Sequence, residues 1–208
     1  MIESTERAGE IRRELLGSGA ASVGAFSTVE IRIALRNHIT PGDEIIIAGD
    51  LWYDNSEIPS EIPSNEKYCP RQCMSFSASM ALNSKWSSST DTFSTDTISH
   101  IYAVVDGIDV GKGAFWESLL LAKQHNLDNL TVIVNCCEDS DGTHENSNLP
   151  LHRTALRQIV MHSGWAVCEE NGHDIPHLIS ALQWTLSLST PSMIIARTIK
   201  GYGLDNTI

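Results

Sequence analysis

Short runs of apolar residues recur along the chain, separated by longer stretches in which apolar residues follow a helical period. Apolar runs of about four to eight residues bounded by turn residues are typical of buried strands. Turn residues stand beside the clearest runs: Pro41, Gly42 and Asp43 precede the first one, and Asp106 and Gly107 follow the second. The pattern predicts strands over Glu44–Ala48, Ile101–Val105, Leu130–Val134, Trp165–Cys168 and Met193–Ala196.

Between these runs, apolar residues recur every three or four positions, which is typical of amphipathic helices. Ser27 and Glu30 have the spacing of a capping box, so a helix carrying Ile31, Ala34 and Leu35 is predicted to begin there. Further helices are predicted at Ile11–Leu16 (the end of a first helix), Met74–Trp86, Phe115–Ala122, Leu151–His162 and Asp174–Leu186, the last with Pro176 in its first turn. The polar stretches 51–68 and 87–97 are predicted to be a loop and a connector.

Alternation of nearly continuous apolar strands with helices predicts an α/β fold. Strands of this kind belong to parallel sheets that are covered on both faces. We therefore expect a three-layer α/β/α arrangement with a mainly parallel sheet, and a single domain over residues 1–208. Ligands of such folds bind at the carboxyl ends of the strands.

The charge balance narrows the classes of partner. The chain has 14 Lys and Arg against 26 Asp and Glu, a net charge of −12. Nucleic-acid-binding surfaces and surfaces attracted to anionic lipids are basic, so neither partner is expected. The sequence holds no apolar run of the roughly 18 to 20 residues that a membrane span needs. Met1–Glu10 is polar and lacks the apolar centre of a secretory signal.

The cysteines predict a reducing location. They stand at positions 69, 73, 136, 137 and 168, an odd number without the regular spacing of a disulfide framework. The separation of Cys69 from Cys73 is not that of a zinc knuckle. We expect a cytoplasmic protein with free thiols.

Polar residues follow two of the predicted strands. Asp106 comes after the strand that begins at Ile101, and Asn135 comes after the strand that begins at Leu130. A carboxylate and an amide oxygen at neighbouring strand ends suit a hard cation such as Mg²⁺, which would bridge to phosphates. An Asp-Gly pair after a strand is also an ordinary turn, so the pattern alone leaves both interpretations open.

A resemblance to a known family adds to this picture. From Ile101 onward the chain resembles the N-terminal domain of transketolases, with family motifs in the same order. The matching segments are Val105–Gly107 with Gly113–Glu117, Leu127–Leu130, Asp141–Thr143, Gly164–Trp165, Asn171–Asp174 and Ile195–Gly203. The resemblance implies the thiamine diphosphate-binding fold. In that family the cofactor lies between two domains, and the N-terminal domain holds Mg²⁺ and the diphosphate.

The resemblance also implies a set of site residues and a partner. Asp106, Asn135 and Cys137, the last through a backbone carbonyl near it, would hold the metal. Asp106, Gly107, Asn135 and His173 would lie at the cofactor. The pyrimidine-binding domain with its activating glutamate would come from a C-terminal transketolase-like subunit, and a homo- or hetero-oligomer is expected.

Several positions depart from the family motifs. Val105 replaces a glycine, Ile108 replaces an acidic residue, and Ala48–Asp50 replaces a Lys-Gly-His segment. The metal-binding asparagine of the family corresponds to Asn135 or to one of the two cysteines after it, and thiolates are poor ligands for Mg²⁺. The segment Tyr68–Cys73 stands where the family has a glycine-rich loop.

Two functions remain open on the sequence. The first is the N-terminal subunit of a split thiamine diphosphate-dependent transferase that moves a two-carbon ketol or acyl unit. The second is a non-catalytic, transketolase-like subunit that binds or regulates a partner. Structural roles are also expected for Trp116 and Glu117, through packing and a surface or interface charge, for His100 beside a strand, and for His173 in capping or fixing a loop.

Overall fold

The computed structural model describes residues 6, 8–10, 27–48, 51, 65–69, 72–90, 98–138 and 149–203. Six strands form one sheet in the order β2-β1-β3-β4-β6-β5, and every pair of neighbours is parallel. The strands are β1 (Glu44–Ala48), β2 (Glu66–Cys69), β3 (Ile101–Asp106), β4 (Leu130–Glu138), β5 (Ala166–Asn171) and β6 (Ser192–Ile199). The predicted parallel α/β fold is confirmed.

Five helices of the described chain accompany the sheet, together with a short 3-10 helix at Gly107–Gly111. They are α1 (Val29–His38), α2 (Cys73–Thr90), α3 (Gly113–Gln124), α4 (Arg153–His162) and α5 (Ile175–Thr185). The predicted helices over these ranges are confirmed, with ends shifted by a few residues. Pro176 lies in the first turn of α5, where its missing N–H is no loss.

The chain reverses direction across the sheet, which explains the two helical layers. The connection from β3 through α3 to β4 runs one way, whereas the connection from β5 through α5 to β6 runs back. Parallel connections are almost always right-handed, so the reversal places α5 on the opposite face from α3. Helix α1 packs against α5, and α2 packs against α3, which gives three layers.

The core lies on both faces of the central strands. The side chains of Ile45, Ile46 and Ile47 in β1 are all buried, as are consecutive residues of β3 and β4. Each fully buried side chain of this size contributes about 1.5–3 kcal/mol relative to an exposed one. The continuous apolar runs of the sequence are therefore accounted for by a sheet without a solvent-facing side.

The structure corrects several predicted boundaries. Glu66–Cys69 belongs to strand β2, not to a loop, because it pairs in parallel with β1 along Ile45–Ala48. Residues 87–90 continue helix α2 and are not part of a connector. Strand β4 extends to Glu138 because β6 pairs with it over that length, so Asn135 lies inside the strand and not after it. Residues 11–16, 52–64 and 91–97 lie outside the described residues.

Edge strand β2 is tied to α1 by a buried ion cluster. Arg32 donates two hydrogen bonds to Oε1 of Glu66, and Arg36 donates two to Oε2, at 2.6–3.1 Å. The Glu66 side chain is 1% exposed. The two guanidinium groups thus compensate the desolvation of the buried Glu66 carboxylate. Because these arginines lie 30 and 34 residues before Glu66, a long-range contact holds the polar strand β2 in place.

No helix among the described residues has both the length and the hydropathy to cross a membrane. All five cysteines are free thiols in the structure.

Candidate functional site

The carboxyl edge of the sheet, meaning the ends of β3, β4 and β6 together with the turns that follow them, carries the predicted site residues. Asp106 is the register partner of Asn135, and Cys137 is the register partner of Thr198. Side chains alternate between faces along a strand and match across parallel partners, so all four side chains lie on one face. This is the face covered by α1, because Asn135 reaches Ser27 beside that helix.

Asp106 ends β3 and caps the 3-10 helix. Its Oδ1 accepts a hydrogen bond of 3.2 Å from the backbone N–H of Ile108, and the side chain is partly exposed. Gly107, the first residue of the 3-10 helix, is buried. A carboxylate at this position presents hard oxygen atoms to the region beyond the strand ends, as a site for a cation requires.

Asn135 is fully buried, and both atoms of its amide are hydrogen-bonded within the protein. Nδ2 donates to the hydroxyl of Ser27 at 3.1 Å, and Oδ1 accepts from the hydroxyl of Thr198 at 2.6 Å. The side chain lies at 0% exposure. In this arrangement the amide connects β4 to β6 and to the beginning of α1.

Cys137 is a neutral thiol in the same hydroxyl cluster. Burial raises the pKa of the Cys137 thiol, and the nearby charge of Asp106 raises it further, although hydrogen bonds with Thr198 and Ser27 act in the opposite direction. A raised pKa keeps the proton on sulfur at neutral pH. Protonated thiols do not bind metals, and sulfur is a soft ligand in any case.

His173 follows β5 and uses both of its ring nitrogens inside the protein. Nδ1 lies 3.0 Å from Oε2 of Glu30, and Nε2 accepts a hydrogen bond of 2.9 Å from the backbone N–H of Ile199. Tyr202 stacks on the imidazole with ring centroids 3.7 Å apart. The side chain is 4% exposed. The expected loop-fixing role of His173 matches these contacts, whereas neither nitrogen points to a ligand in this conformation.

The predicted metal ligands differ in how well they fit Mg²⁺. The Asp106 carboxylate suits the ion, whereas the Asn135 amide would have to leave two buried hydroxyl partners. The ligand predicted at Cys137 is a backbone carbonyl near it, and the neutral thiol leaves that carbonyl unaffected. Among the described residues, no group of three or more His, Cys, Asp and Glu side chains is placed to hold a metal. Asp106, Asn135 and the backbone carbonyl near Cys137 therefore stay a predicted ligand set, of which Asp106 is the member whose side chain is partly exposed at this edge.

Trp116 and His100 have structural partners: the Trp116 indole donates to the carbonyl of Val110, and the His100 ring bonds the hydroxyl of Thr131. Glu117 lies at an exposed position of α3. In the turn after β6, Gly201 and Gly203 have φ values of 71° and 76°, which strongly favour glycine over other residues. The glycines of this turn are therefore explained by its backbone conformation.

Four further residues belong to this edge although the sequence pattern did not place them there: Ser27, Glu30, Thr198 and Tyr202. Ser27 and Glu30 were assigned to a capping box, but the helix has Thr28 at its cap position and no side-chain hydrogen bond there. Their side chains are bonded instead to Asn135 and His173. The Ser-x-x-Glu spacing indicated that Ser27 and Glu30 have a structural role, but the residues that they contact are more than 100 positions away in the chain.

Comparison with known families and structures agrees with this architecture. A family model described as "Transketolase, thiamine diphosphate binding domain" matches residues 70–208. The crystal structure of transketolase from Campylobacter jejuni subsp. jejuni NCTC 11168 is similar with a TM-score of 0.67 and 19% identity, over 87% of this chain and 34% of that one. Transketolase from Leishmania mexicana is similar with a TM-score of 0.54 and 22% identity, over 65% of this chain and 21% of that one.

These matches have a limited extent. A comparison with curated proteins found no match. The chain spans about a third of the Campylobacter jejuni transketolase and about a fifth of the Leishmania mexicana enzyme. At these identities the structural similarity shows a shared fold.

Proposed function

Because the chain belongs to the transketolase N-terminal family, whose domain binds thiamine diphosphate, we propose that it is the diphosphate-binding half of a transketolase-like transferase. The reaction would move a two-carbon ketol or acyl unit. The observation that carries the proposal is the partly exposed carboxylate of Asp106 at the end of a central parallel strand. Ligands of such sheets bind beyond the carboxyl ends of the strands.

The proposed division of labour follows from what this chain offers. Thiamine diphosphate, when bound, supplies the carbanion chemistry. Asp106 would hold Mg²⁺ against the diphosphate, together with ligands from outside the described residues or from the diphosphate itself. Gly107, which follows Asp106 in the chain, would lie beside the diphosphate. Asn135 and Cys137, as described above, would contribute to the shape of this edge.

The remaining part of the site would come from a pyrimidine-binding domain. The Campylobacter jejuni transketolase is about three times as long as the segment that it shares with this chain, and the Leishmania mexicana transketolase is about five times as long. A partner chain or another part of the same protein would supply that domain, in a homo- or hetero-oligomer. The free cysteines support a reducing, cytoplasmic setting for the assembly.

Replacement of Asp106 tests the proposal. In the assembled complex, Asp106→Ala should weaken Mg²⁺-dependent binding of thiamine diphosphate by about 100-fold, because it removes the charged ligand. Isothermal titration with and without Mg²⁺ measures the affinity, and far-UV circular dichroism checks that the fold is kept. The matched control is Asp128→Ala, which makes the same charge change at the amino end of β4, where Asp128 pairs with Lys85.

The two variants give a clear decision. Loss of cofactor binding in the Asp106 variant, with wild-type affinity in the Asp128 variant, would support the proposal. Equal cofactor affinity and equal transfer activity in both variants would exclude Asp106 from the site and remove the observation on which the proposal rests.

A second function, that of a non-catalytic binding or regulatory subunit, is favoured by a different observation. Asn135 and His173 are bonded inside the protein, and Cys137 is a neutral thiol. Such a subunit would keep the family's assembly surfaces without the cofactor. Native mass spectrometry of the complex recovered from its own cells, with thiamine diphosphate present, separates the two: stoichiometric cofactor supports the transferase, and a stable complex without cofactor supports the second function.

A further inference from the structure

Five polar side chains at the carboxyl edge of the sheet form two hydrogen-bonded groups that share one helix end. Ser27 and Glu30 stand three residues apart at the beginning of α1. Ser27 bonds Asn135 of β4, whose amide oxygen also bonds Thr198 of β6. Glu30 bonds His173, which in turn accepts from the backbone of Ile199. We call these five residues, Ser27, Glu30, Asn135, His173 and Thr198, the clasp.

The protonation state of His173 follows from its partners. A backbone N–H can only donate, so Nε2, which accepts from Ile199, carries no proton. Nδ1 therefore carries the proton of the neutral ring and donates it to the Glu30 carboxylate, 3.0 Å away. A neutral imidazole has one donor and one acceptor, and both are used here.

The orientation of the Asn135 amide is fixed in the same way. The Thr198 hydroxyl donates to Oδ1, and the amide nitrogen donates to Ser27. The group lies at 0% exposure, where a polar atom that loses its partner is not rescued by water. Turning the amide toward a cation would break both bonds.

Close backbone packing adds to the clasp. The amide of Gly172 donates to the carbonyl of Arg197 at 2.7 Å, and a Cβ on Gly172 would lie 2.4 Å from Cγ2 of Thr198. Tyr202, in the turn after β6, covers the imidazole of His173. The contacts thus join α1, β4, the turn after β5 and the turn after β6.

We propose that Asn135 and His173 are positioning residues of the clasp and not ligands of the cofactor or its metal. Through the contact of Glu30 with His173, the first turn of α1 fixes the position of the turn at residues 199–203 at the carboxyl edge of the sheet. The proposal deepens the proposed function, since it states that Asp106 acts there without Asn135 and His173. Glu30 and the backbone N–H of Ile199 together select the tautomer.

Nitrogen NMR of His173 tests the proposal directly, in this chain alone and in its complex with the pyrimidine-binding partner. We expect the proton on Nδ1 and a bare Nε2, both without ligand and with Mg²⁺ and thiamine diphosphate added. If the His173 ring contacted a phosphate, it would donate a hydrogen bond to it from a protonated ring nitrogen. Because Nδ1 faces Glu30, the nitrogen that donates to the phosphate would be Nε2. A proton on Nε2 in any of these samples would overturn the proposal.

Substitutions at Glu30 test whether its acceptor oxygen, and not only the burial of its side chain, holds the His173 ring in place. Glu30→Gln keeps an acceptor oxygen at the same reach and should preserve the tautomer. Glu30→Ala removes the acceptor, so His173 should populate both tautomers and the Ile199 amide should exchange with solvent about tenfold faster. Slow exchange and an unchanged tautomer in the Glu30→Ala protein would contradict the role given to Glu30.

Failure of the clasp and failure of the proposed function give different results. The tautomer and the exchange rate are measured in ligand-free protein and do not depend on catalysis. The expected tautomer in an assembled complex that binds no cofactor would reject the transferase and leave the clasp intact. Cofactor binding that places a proton on Nε2 of His173 would support the transferase and reject the clasp.

Discussion

His100, Tyr102 and His38 form a cluster at the amino ends of the strands, away from the candidate site. The His100 ring lies 4.5 Å from that of Tyr102, whose hydroxyl is 3.1 Å from Nε2 of His38. Burial lowers the pKa of His100 from 6.5 to about 4, against the opposing charge of Asp43. Burial also lowers the pKa of His38, so both rings are neutral at pH 7.

Acid should destabilise the protein through His100. Because the pKa of His100 is lowered in the folded state, the unfolded state binds its proton first as the pH falls below 6.5, and stability decreases until the folded pKa near 4 is reached. We expect the free energy of unfolding to be about 2 kcal/mol lower at pH 5 than at pH 7 from this residue alone. Urea denaturation at the two pH values measures the difference.

Two variants isolate this contribution. In the His100→Gln variant, the glutamine amide can bond the Thr131 hydroxyl but does not titrate. The decrease in the free energy of unfolding between pH 7 and pH 5 should therefore be about 2 kcal/mol smaller than in the wild type. His162→Gln, at an exposed position of α4, should leave it unchanged. An equal pH response in all three proteins would contradict the assignment to His100.

Among the elements, the turn from β5 to α5 is built around a close approach to β6. At Gly172 a Cβ atom would lie 2.4 Å from Cγ2 of Thr198 and 2.9 Å from the carbonyl oxygen of Arg197. The second atom belongs to the backbone of a central strand and cannot rotate away. Gly113, at the first position of α3, has no atom within 4 Å of the same point.

Gly172→Ala should therefore destabilise the protein by about 1–3 kcal/mol, as overpacking does elsewhere. Gly113→Ala makes the same chemical change at an open helix position, and it should be neutral or stabilise by up to about 1 kcal/mol. Chemical denaturation of the two variants beside the wild type measures both values. Equal stability of the two variants would show that the turn can move away from β6.

At the scale of the whole molecule, one sheet runs without interruption from β2 to β5. A continuous hydrophobic cluster reaches from Ile45 in β1 to Leu178 in α5. Neither half of the sheet has a core of its own, so we expect one domain and one cooperative unfolding transition.

Thermal unfolding tests this expectation. Far-UV and near-UV circular dichroism should give coincident curves, and the calorimetric and van't Hoff enthalpies should agree. Two resolved transitions, or curves that differ between the probes, would divide the chain into separate folding units and contradict the single domain over residues 1–208.

Much of the architecture could be predicted from local pattern. The apolar runs at Glu44–Ala48 and Ile101–Val105 are strands in the structure, and the run of helical period around Phe115 is a helix. Local pattern is sufficient there because strands of a parallel sheet are covered on both faces and therefore have continuous apolar sequences. These strands can be recognised without knowing which distant residues pack against them. The family motifs from Ile101 onward likewise predicted the fold and the family.

Long-range contacts decided the rest. Strand β2 has a polar sequence and exists through its pairing with β1 and through the two arginines that bind Glu66. The length of β4 depends on β6, which places Asn135 inside the sheet. Local sequence cannot indicate these outcomes, because the partners are 20 to 60 residues away.

The sequence by itself determined the parallel α/β fold, the family and the position of Asp106 at a strand end, since each depends on residues that are neighbours in the chain. Tertiary structure alone decided which groups of the protein Asn135 and His173 bond. Their hydrogen-bonding atoms are directed by Ser27 and Glu30, which precede them by 108 and 143 residues. A polar side chain can bind a ligand or stabilise the fold, and the residues that contact it in the folded protein determine which of its atoms are available for a ligand.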